Sequence, residues 1–208
     1  MKSLKQLVFI VITLSSAPAW AQPAPAPTPD SVVTPMQAPA KLSVCFTPDH
    51  SCAPVLLQQI AAAQKEILVH AHNFTNRSIM KALIEAKKRG VDVRVIMTSR
   101  HERVQSNALL TLAKAGLPIF IDDKARVAHN KVMIFDRKAV TTGSYNLTYA
   151  ADRKNAENLL LIQDSPVIVN AYVSNWQHRL DLSRPARVTG HAANDNKSKP
   201  DSDDDDDN

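Results

Sequence analysis

The chain alternates short apolar runs with amphipathic stretches, and this pattern predicts strands and helices in turn. Apolar runs with the length of buried strands occur at 42–46, 67–71, 91–97, 117–121, 127–135, 139–142 and 159–162. Apolar residues at helical spacing predict helices over 54–64, 76–89, 104–115 and 166–180. Strands that alternate with helices predict the α/β class, here as a mixed β-sheet flanked by helices on both faces.

The first 21 residues have the features of a cleaved signal peptide. Lys2 and Lys5 precede an apolar run at 7–14, which is too short to span a bilayer, and 19–21 fit a small-x-small cleavage site. We therefore expect a bacterial protein that begins at Gln22 after export and is periplasmic or secreted. The alternative is an uncleaved anchor. After cleavage, the sequence predicts no stable membrane association.

Two segments of biased composition flank the region that is expected to fold. Residues 22–41 are rich in Pro and Ala, which favours extended polyproline geometry and predicts a semi-rigid tether. Residues 184–208 lose apolar periodicity and end in a run with six aspartates, which predicts a disordered polar tail. Residues 42–183 are expected to form one domain without internal repeats, and this length is sufficient for a core.

Positive charge is concentrated in the expected mature body. The chain has 25 Lys and Arg against 20 Asp and Glu, and without Lys2, Lys5 and the six terminal aspartates 23 basic and 14 acidic residues remain. A basic body favours a polyanionic partner such as nucleic acid, although any single basic residue is as well explained by a solvated face. Aromatic residues are only 5% of the chain, so contacts with backbone phosphates are favoured over base stacking.

The most specific chemistry lies in one stretch that begins with His129 and Lys131. These residues are two apart, so on one strand both side chains would lie on the same face. An imidazole can attack phosphorus or transfer a proton, and an adjacent ammonium can hold a phosphate oxygen. The alternative is a core strand with a hydrogen-bonded His and a snorkelling Lys. The full spacing, His-x-Lys-x4-Asp-x6-Gly-Ser-x-Asn, comprises His129, Lys131, Asp136, Gly143, Ser144 and Asn146.

This spacing resembles the signature motif of the phospholipase D superfamily, and most of all that of its small bacterial nucleases, which carry one motif copy per chain. The likeness extends over about residues 44–176 and includes Glu157, which stands where the family places an acidic residue behind its histidine. The resemblance implies a phospholipase D-like fold. It also implies a metal-independent endonuclease, without a cofactor, that hydrolyses phosphodiester bonds of DNA, with RNA as an alternative substrate.

The resemblance also implies catalytic roles for five residues. His129 would attack phosphorus and form a phospho-histidine intermediate. Lys131, Ser144 and Asn146 would bind phosphate oxygens and assist the reaction. Glu157 would accept a hydrogen bond from the ring nitrogen of the histidine that is not used in attack, and so fix its tautomer.

Three further residues have expected supporting roles. His72 follows a predicted strand at its carboxyl end, where α/β sites gather, so we expect it to border the substrate pocket. Asp136 is expected to be structural, as a turn residue or an ion-pair partner. Gly143 would let the neighbouring main chain approach closely.

A chain with one motif supplies one histidine, whereas diester hydrolysis needs a nucleophile and an acid. In the family that the chain resembles, two motifs meet across a twofold axis, so we expect a homodimer with one shared active site. Two alternatives are a phospholipase D-type lipid phosphodiesterase and a non-catalytic accessory factor that binds nucleic acid.

The two cysteines, Cys45 and Cys52, are close in sequence and in an exported protein predict a disulfide. The alternatives are two free thiols, or a zinc site with His50 that lacks a clear fourth ligand. His70 and His72 would share one strand face, but no acidic residue or cysteine lies near them in sequence. We therefore interpret them as packed or pocket-lining residues and predict no metal site.

Overall fold

The structure, a computed structural model, describes residues 39–189. The predicted signal peptide, residues 22–38 of the predicted tether and residues 190–208 of the predicted tail lie outside the described residues. Within 39–189 the chain forms eight strands and six helices.

The strands are β1 (Lys41–Phe46), β2 (Glu66–Ala71), β3 (Asp92–Thr98), β4 (Ile119–Asp122), β5 (Lys131–Phe135), β6 (Ala139–Gly143), β7 (Asn158–Gln163) and β8 (Arg184–Pro185). The helices are α1 (Ala53–Ala62), α2 (Arg77–Lys88), α3 (Ser99–Arg103), α4 (Asn107–Lys114), α5 (Tyr149–Arg153) and α6 (Pro166–Asp181).

The eight strands form one mixed sheet in the order β1-β7-β6-β5-β2-β3-β4-β8. Strands β2, β3 and β4 are parallel to one another, and the remaining neighbours pair antiparallel. Strand β5 lies between β2 and β6, with Lys131 opposite Ala71. The predicted α/β class and mixed sheet are therefore confirmed.

Helices cover both faces of the sheet, as predicted. On one face, α1, α2 and α4 bury apolar residues such as Leu56, Leu83 and Leu109 against the sheet. On the other face α6 packs through Val169 and Trp176. The Trp176 indole N–H donates to the Val69 carbonyl at 3.0 Å, which satisfies a polar group that this packing buries.

The structure differs from the predicted elements in three places. The helix expected over 104–115 is replaced by α3 and α4, because Gln105 has a φ of 46° and the Ser106 hydroxyl accepts the Leu109 amide as a new N-cap. Helix α5 was not expected. Strand β8 pairs with β4 inside the segment that the sequence assigned to a disordered tail.

Asp136 directly follows β5, at the opposite end of the strand from His129, and has a φ of 51°. Its carboxylate accepts the amides of Gln64 (2.9 Å), Lys65 (2.8 Å) and Glu66 (3.0 Å). Burial opposes its ionisation, but the three amide donors outweigh this effect and lower the pKa of Asp136. Asp136 thus joins the α1–β2 connection to the β5–β6 turn.

We predict that Asp136→Asn lowers the free energy of unfolding by about 1–3 kcal/mol, because one carboxylate oxygen is replaced by an NH₂ that faces an N–H donor. Activity per folded molecule should stay near that of the wild type, since this turn is remote from His129. Urea denaturation with an activity assay checks both parts, and Asp49→Asn at an exposed loop carboxylate is the control. A stable but inactive Asp136→Asn protein would contradict the prediction.

Candidate active site

Several strands of the sheet begin or finish at the same end of the sheet. Because β5 is antiparallel to β2 and β6, its start lies beside the end of β2 and the end of β6. The start of β7 lies at the same end of the sheet, since Leu159 pairs with Gly143. These ends surround a cleft of about 600 Å³. Its lining residues are His72, Asn73, His129, Lys131, Gly143, Ser144, Asn146, Asn155, Glu157 and Asn158.

His129 and Lys131 are in contact at the mouth of this cleft. The Lys131 Nζ lies 2.9 Å from Nδ1 and 3.0 Å from Nε2 of His129, and 3.2 Å from its carbonyl oxygen. The strand begins at Lys131, so the expectation of a shared strand face is wrong for His129, which precedes the strand. The Asn130 carbonyl accepts the His72 amide at 3.0 Å and aligns this segment with the end of β2.

Gly143 allows two main-chain segments to come together. Its φ is 146°, and a Cβ at this position would lie 2.2 Å from the Asn158 carbonyl oxygen. That carbonyl accepts the amides of Ser144 (3.1 Å) and Tyr145 (3.2 Å). The Ser144 hydroxyl accepts the Asn158 amide at 3.0 Å and keeps its own proton to donate. Any larger residue at 143 would displace Ser144 from the cleft.

Asn146 lies beside the residues that follow β2. Its Oδ1 accepts the Asn73 amide at 3.4 Å, which leaves the side-chain NH₂ as a donor toward the cleft. The main chain nearby is fixed by a parallel bridge between Phe74 and Leu147, in which the Leu147 amide donates to the Asn73 carbonyl at 3.1 Å. The motif residues are therefore held by contacts with the segment 73–76.

Glu157 lines the cleft and is half-buried. Its carboxylate accepts the Asn155 side-chain amide at 3.3 Å, and its main-chain amide donates to the Thr47 hydroxyl at 3.1 Å. Within residues 39–189, no hydrogen bond joins Glu157 to His129. The expected contact that fixes the histidine tautomer is thus not made in the single chain.

His72 lies against His129, with ring centroids 4.3 Å apart and a tilt of 51°. Burial, together with the neighbouring charges of His129 and Lys131, lowers the pKa of His72 to about 4, against a smaller opposing hydrogen bond to the Ala128 backbone. His72 is therefore neutral at pH 7. Its carbonyl accepts His101 Nε2–H at 2.9 Å, so His101, which sequence reasoning did not assign to the site, fixes the main chain here.

His70 does not share this cleft, contrary to the expected common face with His72. It is buried against α6, in a separate cavity of about 320 Å³. Its Nδ1 accepts the Asn130 side-chain amide at 3.1 Å, while Nε2 lies 3.9 Å from the Asp122 carboxylate, too far for a hydrogen bond. Asp122 is paired with Arg179 instead.

The loop beside β1 is covalently closed. Cys45 and Cys52 form a disulfide with a Cα–Cα distance of 5.7 Å. The amide of Cys52 donates to the buried carboxylate of Asp152 at 3.0 Å, and so does the Tyr145 hydroxyl at 2.8 Å. These contacts are not evident from the sequence, because Asp152 and Cys52 are 100 residues apart and no local pattern connects them.

Residues 39–189 contain no group of three or more His, Cys, Asp or Glu placed to hold a metal ion. None of the helices in this range is long and apolar enough to cross a bilayer. The donors of the cleft are an ammonium, imidazoles, amides and a hydroxyl, which are groups that bind phosphate oxygens directly.

Comparisons with known proteins relate this geometry to one family. The family model described as "Cardiolipin synthase, PLD-like domain" matches residues 56–179. A protein named "Phospholipase D" from Rickettsia bellii is 39% identical over 148 residues, which cover 71% of each chain. A "Mitochondrial cardiolipin hydrolase" from Xenopus laevis is 30% identical over 172 residues, 82% of this chain and 81% of that protein.

A solved structure has the same architecture. The phospholipase D family member Nuc from Salmonella typhimurium aligns with a TM-score of 0.66 and 35% sequence identity. The alignment covers 72% of this chain and 99% of Nuc. Nearly all of that protein is therefore represented in the present fold.

We predict that His70 makes the fold sensitive to acid. Burial lowers the pKa of His70 to about 4, with the Asp122 carboxylate opposing and Arg179 reinforcing the shift. Between pH 6.5 and 4 the unfolded chain binds a proton that the folded chain does not, so stability falls as the pH falls. His70 alone should account for about 3 kcal/mol of this loss at pH 4.

The test compares the free energy of unfolding of wild-type and His70→Gln protein from pH 7 to pH 4. Gln does not titrate, so its curve should be flatter than that of the wild type over this interval. Parallel curves for the two proteins would contradict the prediction. An NMR titration of the His70 ring in the wild type gives an independent measure of its pKa.

Proposed function

Because the chain belongs to the phospholipase D superfamily, in its single-motif Nuc-like subgroup, we propose that this phosphodiesterase is an exported endonuclease that hydrolyses DNA as a homodimer. The observation that carries the proposal is the contact of His129 with Lys131 in a cleft that also presents Ser144 and Asn146. The cleft is open to solvent at His129, as access to a polymer backbone requires.

Binding of a diester rearranges the contacts of Lys131. The Lys131 ammonium lies beside both ring nitrogens of His129. A phosphate oxygen is a stronger acceptor than an imidazole, so the ammonium turns to the phosphate and exposes a ring nitrogen for attack. The hydroxyl of Ser144 and the NH₂ of Asn146 donate to the same non-bridging oxygens and stabilise charge as it develops.

The reaction then proceeds in two displacements. In the first, the lone pair of a His129 ring nitrogen forms an N–P bond, the bond to the leaving oxygen breaks, and that oxygen takes a proton from an acid. In the second, water gives a proton to the conjugate base of that acid, its oxygen attacks phosphorus, and the N–P bond breaks. The protons balance over the cycle, and every step uses groups of the protein and water.

Neither of the other histidines near the cleft is suited to be the acid. His72 is close enough to His129, but its pKa of about 4 leaves it unprotonated at pH 7. His101 is buried and hydrogen-bonded through both ring nitrogens, to the His72 carbonyl and to the Ser106 hydroxyl. We therefore assign the acid to His129 of a second copy, because two such imidazoles that share one proton provide both a base and an acid.

An exposed apolar surface in the described part of the chain supports association of two copies. Leu42, Val44 and Phe46 alternate along the edge strand β1, and each is more than half exposed, at 57–59%. Side chains that alternate on a strand share one face, so the three residues form a stripe. The stripe begins at the cleft, because Phe46 pairs with Asn158, a residue of the cleft lining. A second copy that covers the stripe would therefore border the active site.

A lipid diester is the second candidate substrate. The names of relatives, "Phospholipase D" and "Mitochondrial cardiolipin hydrolase", favour it, and the same two displacements would hydrolyse it. DNA is preferred because the expected mature body is strongly basic and the cleft is polar and open, with exposed Arg153 and Lys154 in the segment before Asn155. Export is proposed on the basis of the predicted signal peptide at 1–21.

We predict that the purified protein cleaves plasmid DNA in EDTA, because the cleft neutralises phosphate with an ammonium and amide donors. His129→Ala should abolish turnover, whereas His178→Ala, which alters an exposed histidine of α6 outside the cleft, should not. Parallel incubations with RNA, phosphatidylcholine and cardiolipin distinguish the candidate substrates. Loss of activity on chelation that Mg²⁺ restores would refute the mechanism, and cleavage of lipid but not DNA would refute the nuclease assignment.

We predict that mixing wild-type and His129→Ala chains lowers activity more steeply than the fraction of mutant chains. A heterodimer has one histidine left, so either attack or protonation of the leaving group fails, and its turnover should be far below half. Subunit exchange is verified by mass, and mixing with His178→Ala chains is the control. A linear decline after verified exchange would reject the shared site, and a fully active monomer in sedimentation would reject the dimer.

A further inference from the structure

The loop between Cys45 and Cys52 makes close contact with the segment that carries Glu157. Thr47 in this loop is buried, with 5% of its surface exposed. Its hydroxyl donates to the Asn155 carbonyl at 2.8 Å and accepts the Glu157 amide at 3.1 Å. Its own amide donates to the Glu157 carbonyl at 3.1 Å. One side chain and its main chain thus hold the main chain of residues 155–157 at three points.

The Ser51 end of the loop is fixed to α5, the helix that precedes residues 155–157 in the sequence. The carboxylate of Asp152, which is 4% exposed, accepts the Ser51 hydroxyl at 2.7 and 2.8 Å. It also accepts the amides of Cys52 (3.0 Å) and Ala53 (2.9 Å). The disulfide closes the loop between these two attachments, so neither end can move without the other.

Residues 155–157 have no regular structure of their own, since they lie between α5 and β7. Their position therefore depends on hydrogen bonds from other parts of the chain. Asn155 and Glu157 both line the cleft, and a shift of about 1 Å in such a group can reduce a rate by about 10²-fold.

We propose that Thr47 is a positioning residue of the active site, and that the disulfide-closed loop is a strut through which Thr47 places the Glu157 carboxylate in the cleft. This inference rests on the proposed function, because it concerns the same cleft. It adds a residue and a covalent link that the motif itself does not contain. Thr47 is not among the residues that line the cleft, so its effect on catalysis passes through Glu157.

The first test compares Thr47→Val with Thr47→Ser, using bis(p-nitrophenyl) phosphate and plasmid DNA as substrates. Val has the shape of Thr but lacks the hydroxyl, so kcat should fall by about 10- to 100-fold with KM nearly unchanged. Ser keeps the hydroxyl and should restore most of kcat. Thr189→Val, at an exposed threonine outside the cleft, is the matched control. Equal losses for Val and Ser, or none for Val, would overturn the proposal.

A double-mutant cycle separates positioning from a general effect on the fold. If Thr47 acts through Glu157, Thr47→Val should cause no further loss of kcat in a Glu157→Gln protein. Losses that multiply in the double variant would show that Thr47 acts independently and would overturn the proposal. Thermal denaturation of each variant confirms that the folded fraction is comparable.

The disulfide is tested by reduction of the folded wild-type protein, with thiol release followed by mass. Reduction should lower kcat in the wild type and have little further effect in Thr47→Val. An unchanged kcat after complete reduction would show that the disulfide is not needed to position Glu157, and would overturn that part of the proposal.

Amide hydrogen exchange gives a readout that needs no activity. Thr47→Val should speed exchange at the Glu157 amide, which loses its acceptor, and leave the buried amide of Ile96 in β3 unchanged. If the wild type cleaves bis(p-nitrophenyl) phosphate but not DNA, the nuclease proposal fails. The role of Thr47 is then still tested by the kinetics with bis(p-nitrophenyl) phosphate. If it cleaves neither substrate, unchanged exchange at Glu157 would overturn the strut.

Discussion

The antiparallel register of β5 against β2 is the constraint on which the site depends. Lys131 pairs with Ala71, so the residues before β5 lie beside the residues after β2. Side chains alternate along a strand, and a slip of one residue would turn Lys131 toward the face covered by α6. The register is fixed by the apolar residues that follow, since Met133 and Phe135 are buried on one face and Ile134 on the other. Core packing therefore determines where the ammonium points.

Buried polar side chains hold together segments that the sheet does not connect. Asp122 in β4 pairs with Arg179 in α6, Asp152 binds the start of α1, and His101 binds the carbonyl of His72. An unpaired buried polar group costs about 1–3 kcal/mol, so each of these contacts disfavours alternative packings as well as stabilising the observed one. Two of the three contacts act on segments next to the cleft, which links the stability of the fold to the geometry of the site.

The sequence predicted the features that depend on residues close together in the chain. Apolar runs predicted the seven longer strands, and the spacing of the motif predicted the proximity of His129 to Lys131. The contacts that hold the site join residues far apart in the sequence and were not predicted. Thr47 and Asn155 are 108 positions apart, and neither residue type is unusual for a loop.

The two histidines at the end of β2, His70 within the strand and His72 after it, show the same limit in another form. Their spacing predicted a common face for His70 and His72, but β2 ends at Ala71, so alternation no longer applies to the second residue. His70 consequently packs under α6, while His72 turns into the cleft. A one-residue difference in the end of a strand decided which histidine belongs to the site, and strand ends are the feature that periodicity defines least well.

The charge of the cleft gives a second argument for the proposed dimer, in addition to the need for an acid. With neutral imidazoles, the side chains that line the cleft carry one positive charge, at Lys131, and one negative charge, at Glu157. A phosphodiester brings a further negative charge, and attack by a neutral imidazole leaves two negative charges on the phosphorane oxygens and one positive charge on the attacking ring. In the proposed dimer, a protonated His129 from the second copy supplies the compensating charge at the atom where the leaving oxygen develops its own. Proton donation and charge stabilisation are then two effects of the same imidazolium, and His72, kept neutral by burial, does not compete for its proton.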